Sequence, residues 1–83
     1  MLVVEDDPEV RQLLVSELED LPSSLTIESF GDGSHALERI RAEGAGPVAL
    51  VLSDIRLPGL DGVELTRELK RVDRRIEVIL VTG

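Results

Sequence analysis

Val48-Ala49-Leu50-Val51-Leu52-Ser53-Asp54 is an apolar, β-branched run that ends in an acid. Its lack of polar alternation is how a strand of a parallel sheet reads when helices cover both faces. Two further stretches share this form. Leu2-Val3-Val4 leads into Glu5 and Asp6, and Ile76-Glu77-Val78-Ile79-Leu80-Val81 leads into Thr82. Strands of a parallel sheet deliver their carboxyl ends to one rim. Glu5, Asp6, Asp54 and Thr82 are therefore expected to share that rim.

The segments between these runs have helical signals. Asp7-Pro8 supplies an N-cap acceptor followed by a proline suited to the first helical position. Val10, Leu13, Leu14 and Leu18 then form an apolar stripe expected to face inward, and Leu21-Pro22-Ser23-Ser24 ends the helix. Leu25 to Phe30 reads as a strand, and Gly31-Asp32-Gly33 as a turn. A second helix turns Ala36, Leu37 and Ile40 inward and stops at Gly44-Ala45-Gly46-Pro47, with the next strand beginning at about Val48. Asp61-Gly62-Val63-Glu64 has capping-box spacing, with Leu60 and Leu65 at the staple positions. The third helix is expected to run to about Asp73, with Lys70, Arg71, Arg74 and Arg75 near its dipole-favoured end. The order βαβαβαβ describes an open parallel sheet with helices on both faces. Ligands of such sheets bind beyond the carboxyl ends of the strands.

Composition bounds what that rim can do. The chain has 83 residues, 42% hydrophobic and 31% charged, with a formal net charge of -8. One small domain fits this length, and the charge argues against nucleic-acid binding by this segment, because neutralising phosphates needs a basic face. No apolar run approaches membrane-spanning length, so no membrane association is expected. The absence of cysteine excludes disulfides and thiolate metal sites and is compatible with a reducing cytoplasm. His35, the one histidine, has no partner histidine or cysteine and reads as a surface or boundary residue. Glu5, Asp6, Asp7 and Asp54 repel one another unless a cation or proton offsets them. Magnesium suits such a cluster, since it takes oxygen ligands and one or two carboxylates. Asp7 is better spent as a helix cap. The carboxylate of Asp54 could attack phosphorus, and Thr82 could donate its hydroxyl to a phosphoryl oxygen. A competing motif is Gly31-Asp32-Gly33-Ser34-His35-Ala36, which has the spacing of a dinucleotide-binding glycine turn, although Asp32 lies where a pyrophosphate would sit.

Three blocks, Val3-Val4-Glu5-Asp6-Asp7-Pro8-Glu9-Val10-Arg11, Leu52-Ser53-Asp54-Ile55-Arg56-Leu57-Pro58-Gly59-Leu60-Asp61-Gly62 and Val78-Ile79-Leu80-Val81-Thr82-Gly83, together resemble the receiver domain of two-component response regulators. The resemblance spans residues 1–83 and implies a flavodoxin-like α/β fold, a doubly wound parallel sheet of strand order 2-1-3-4. It implies that Asp54 accepts phosphate from a phosphohistidine of a histidine kinase or phosphotransfer domain. Asp6, Asp54 and the backbone carbonyl of Arg56 would hold Mg2+, with Glu5 acting through water, and Thr82 would be the switch hydroxyl. The domain would act as a cytoplasmic phosphoacceptor rather than as an enzyme on a separate substrate. The family pattern continues with a helix, a fifth strand ending in a lysine and a last helix, so the chain reads as an incomplete receiver. Its single lysine, Lys70, falls on the third helix and does not match the family's lysine. An inactive, receiver-like interaction fragment and a nucleotide-binding α/β enzyme are the alternatives. Without a fifth strand, Val78 to Val81 would be an open edge, and a homodimer through the fourth strand is expected.

Overall fold

A computed structural model describes Met1–Leu21, Thr26–Gly44, Gly46 and Leu50–Val81. In chain order the elements are β1 (Leu2–Val4), α1 (Pro8–Glu19), β2 (Glu28–Phe30), α2 (Gly33–Glu43), β3 (Leu50–Asp54), α3 (Gly62–Val72) and β4 (Glu77–Val81). The four strands form one sheet in the order β2-β1-β3-β4. All pairings are parallel, with Leu2 opposite both Glu28 and Val51, and Asp54 opposite Val81. The alternation of apolar runs and helical segments implies such a parallel sheet, and the order is that of the doubly wound, flavodoxin-like fold that the receiver resemblance implies. The expected starts of β2 at Leu25 and of β3 at Val48 fall on residues outside the described ones.

Local chemistry sets the helix starts. Asp7 accepts from the N–H groups of Glu9 and Val10 at 2.9 and 3.3 Å, and Pro8 opens α1. Asp61 accepts from Glu64 N–H at 2.8 Å and opens α3, while Leu60 and Leu65 on either side both join the core. Asp32 accepts from His35 N–H at 2.8 Å and so caps α2. Each cap satisfies amides that the first helical turn leaves without an intrahelical partner. At the other end of α3, Lys70 Nζ lies 3.3 Å from the carbonyl of Arg74, a helix-end contact rather than a site contact.

The core lies on one face of the sheet. Leu2, Val4 and Val51 point there and meet Ala36, Leu37 and Ile40 of α2 and Leu65 and Leu69 of α3, with Ile76 and Leu57 closing the cluster. The opposite face carries α1. The apolar stripe expected to bury Val10, Leu13, Leu14 and Leu18 does not do so: no residue of α1 is buried, and Val10 and Leu13 are 41% and 60% exposed. The reason is geometric, because α1 lies over β1 and no second helix flanks it among the described residues. Ile79 and Val81 of β4 are exposed, and among the described residues β4 pairs with β3 alone.

Candidate metal and phosphoryl site

Two loops meet at the carboxyl ends of β1 and β3. The first is Glu5-Asp6-Asp7, directly after β1. Glu5 continues the pairing of β1 with β2 by donating its N–H to the carbonyl of Phe30 at 3.0 Å. Arg11, on the first turn of α1, donates Nη1 to the carbonyl of Glu5 at 2.9 Å. Both backbone groups of Glu5 are thus fixed. Its carboxyl is buried, with only 7% of the residue exposed, whereas Asp6 is exposed.

The second loop follows Asp54. Ile55 N–H donates to the carbonyl of Val81, and Gly62 N–H donates to the carbonyl of Ile55 at 2.9 Å, so the chain turns back tightly against the start of α3. Asp54 is half-buried, and its Oδ1 accepts from Arg56 N–H at 3.0 Å, which fixes the carboxylate over its own turn. Ser53, fully buried on the α2 and α3 face, donates its hydroxyl to the carbonyl of Asp54 at 2.9 Å. One carboxylate oxygen from each of Glu5, Asp6 and Asp54 lies within 4.8 Å of the others. Of the expected site residues, these three are brought together. Arg56 stands beside them in the turn, Asp7 is the helix cap, and Thr82 lies outside the described residues. Val81, one residue earlier, lines the same cleft of about 420 Å³, whose wall also includes Val10 and Leu14.

Close packing of three carboxyl groups has an electrostatic consequence. Burial pushes the Glu5 carboxyl above its ordinary value of 4.5; its hydrogen bond with Asp54, the charge of Asp54 and the charge of Asp6 push it in the same direction, while the backbone of Asp7 opposes them. The donor set suits a hard dication, since Glu5, Asp6 and Asp54 each offer a carboxylate oxygen. A sign follows for stability. Since the folded value lies above the unfolded one, Glu5 contributes stability below about pH 4.5, and this is lost as pH rises through the folded value. Glu5→Gln should therefore unfold at a higher temperature than the wild type near pH 7 and at about the same temperature near pH 4, as read by thermal melts without metal. A variant less stable than the wild type at neutral pH would show that the buried Glu5 charge is well compensated.

The glycine turn, in contrast, carries the protein's own carboxylate. Asp32 accepts from His35 N–H, the third amide of α2, and also contacts His35 Nδ1 at 2.8 Å. A Cβ on Gly33 would lie 2.9 Å from the carbonyl of Leu60, so this glycine serves the approach of α2 to the loop after β3. An anion at this helix start would meet the Asp32 carboxylate, which weakens the support for a nucleotide at this turn.

The family model for the response regulator receiver domain matches residues 1–83. The chain belongs to this family. This receiver is 43% identical over 83 residues to the transcriptional regulatory protein AruR of Pseudomonas aeruginosa, covering all of this chain and 34% of that protein. A response regulator receiver domain protein from Clostridium thermocellum superposes with a TM-score of 0.87 at 23% identity over 99% of this chain and 63% of that one, a likeness of fold. The receiver domain of the histidine kinase CKI1 from Arabidopsis thaliana, solved complexed with Mg2+ and BeF3-, gives a TM-score of 0.83 at 28% identity, covering 99% of this chain and 64% of that one. The receiver chain thus spans about a third of AruR and less than two thirds of either structure. No helix among its described residues is long and apolar enough to cross a membrane.

Proposed function

We propose that this receiver takes a phosphoryl group from the phosphohistidine of a histidine kinase or phosphotransfer domain onto Asp54, in the cytoplasm. The observation that carries the reading is the convergence of Glu5, Asp6 and Asp54 within 4.8 Å at the mouth of the sheet, in a chain of the receiver family. An oxygen of Asp54 attacks phosphorus and forms the new P–O bond. The P–N bond to the donor imidazole breaks, and the imidazole keeps the electron pair and takes up a proton. The bond from Arg56 N–H holds the Asp54 side chain in one rotamer, which lowers the entropic cost of reaching in-line geometry. Asp6, Asp54 and the carbonyl of Arg56 would hold Mg2+, with Glu5 acting through water. When bound, the ion neutralises the charge that otherwise opposes approach of a phosphoryl group to a carboxylate. Val10, Leu14 and Val81 give the cleft an apolar wall, which strengthens electrostatic interactions at its floor. Thr82 is proposed as the hydroxyl donor to phosphoryl oxygen. The protein itself is consumed as acceptor, so it assists its own modification and is not an enzyme acting on a separate substrate.

The metal part is tested by Mn2+ titration of 15N-labelled protein. Paramagnetic broadening should begin at Glu5, Asp6 and the Asp54 turn, and Asp6→Ala should weaken binding at least about tenfold, because it removes an exposed direct ligand. Unchanged affinity in Asp6→Ala would take Asp6 out of the site.

A further inference from the structure

Arg11 is spent in an unusual way. Its guanidinium is partly buried, yet the ion pairs among the described residues do not include it. Nη1 instead donates to the backbone carbonyl of Glu5 at 2.9 Å. That carbonyl belongs to the peptide unit joining Glu5 to Asp6. A planar peptide transmits its orientation to both neighbours, so fixing it fixes the directions from which both carboxylates leave the backbone. The guanidinium also lies directly over Gly31, where an added Cβ would stand 3.0 Å from Nη1. The backbone of Gly31 has no positive φ, so a side chain there is opposed by lack of space and not by conformation. On the other side, the N–H of Glu5 is held by Phe30, the residue just before Gly31.

We infer that Arg11, seated on Gly31, is a positioning residue for the metal-binding loop: it holds the Glu5–Asp6 peptide so that both carboxylates meet Asp54. The inference deepens the phosphoacceptor reading and rests on it for the identity of the ligand. It has a distinguishing sign. A cation near an acidic rim repels a dication, so if Arg11 acted only through its charge, removing it would tighten metal binding. If it acts by holding the peptide, removing it loosens binding despite the loss of repulsion. Partners that orient ligands typically contribute about 10-fold to 100-fold in metal affinity.

Four proteins decide the matter: wild type, Arg11→Met, Arg11→Lys and Gly31→Ala, each followed by Mn2+ titration and by amide hydrogen exchange without metal. Arg11→Met keeps the aliphatic stem and loses the donor; its Mn2+ affinity should fall about tenfold, and exchange at Glu5 should quicken. Arg11→Lys restores one donor and should recover part of both effects. Gly31→Ala keeps the charge and crowds the guanidinium, so it should move both readouts in the same direction as Arg11→Met. Combined, the two changes should lose less than the sum of the separate losses, because they disable one contact. Equal or tighter Mn2+ binding by Arg11→Met would overturn the inference, as would unaltered exchange at Glu5 in both Arg11→Met and Gly31→Ala. Should the wild type itself show no Mn2+ broadening at Glu5, Asp6 and Asp54, the metal reading fails; the exchange data, which need no metal, still uphold or overturn the clamp.

Discussion

Gly62→Ala should destabilise the domain by about 3 kcal/mol, the upper part of the range for forcing a methyl group into packed structure. The expectation comes from space alone. A Cβ on Gly62 would lie 2.5 Å from the carbonyl oxygen of Asp54, 2.9 Å from Cα of Ile55 and 3.0 Å from Cδ2 of Leu80. Two of these three atoms are backbone and cannot rotate away. The backbone must therefore open, which breaks the bond from Gly62 N–H to the carbonyl of Ile55 and pulls α3 from the end of β3. Since small domains hold a margin of roughly 5–15 kcal/mol, such a loss is a large share of it. Urea melts give the magnitude. The same change should also displace the Asp54 turn, so the amides of Asp54 and Arg56 should shift in NMR spectra under folding conditions. A loss below about 0.5 kcal/mol, the size of an ordinary surface effect, would mean that the loop after β3 yields freely.

Asp54→Asn should reduce covalent phosphoryl uptake from a small acyl-phosphate donor at least about a thousandfold, or about 4 kcal/mol in barrier, with little change in fold. Asparagine keeps the volume of aspartate and an oxygen able to accept from Arg56 N–H, so the turn survives. It loses the charged nucleophile and one of the three carboxylates offered to a dication. A second, independent sign accompanies this. Asp54 raises the Glu5 carboxyl through a hydrogen bond and through charge, but burial is the larger cause. In Asp54→Asn, Glu5 should therefore move back only part of the way toward 4.5, as followed by the pH dependence of its side-chain carbon resonance. Full phosphoryl uptake by the Asn variant would transfer the acceptor role to another carboxylate.

Three strands were legible as short apolar runs leading into polar residues that a parallel sheet gathers at one rim, whereas β2, Glu28–Phe30, is no such run and the order 2-1-3-4 came with the receiver resemblance. Helix starts were legible at Asp7-Pro8 and Asp61, where the capping acceptor stands next to its helix. The cap of α2 was harder: Asp32 sits inside a glycine-rich turn, and the same residue that argues against a pyrophosphate there turns out to hold His35 N–H. Inward burial of the α1 stripe was misread because periodicity shows which residues share a face, not how much of that face the rest of the fold covers. Val10 and Leu14 do face the sheet side, yet they border a cleft. The Arg11 contact had no local signal at all. It joins a helix to a turn twenty residues away, and neither an arginine on a first helical turn nor a glycine before Asp32 announces the other. Gly62 is similar, since its need to be glycine comes from the carbonyl of Asp54, eight residues earlier and across a loop.

Chemical trapping is the sharpest test of the proposed phosphoryl acceptance at the rim formed by Glu5, Asp6 and Asp54. After incubation with an acyl-phosphate donor and Mg2+, borohydride reduces an acyl phosphate to the corresponding alcohol, which peptide mass spectrometry locates by residue. Modification at Asp54, dependent on Mg2+ and reduced by Asp6→Ala, is the expected result even if uptake is slow. Modification at Asp6, Asp7 or a surface acid, or equal modification of Asp54 with the dication chelated, would contradict it.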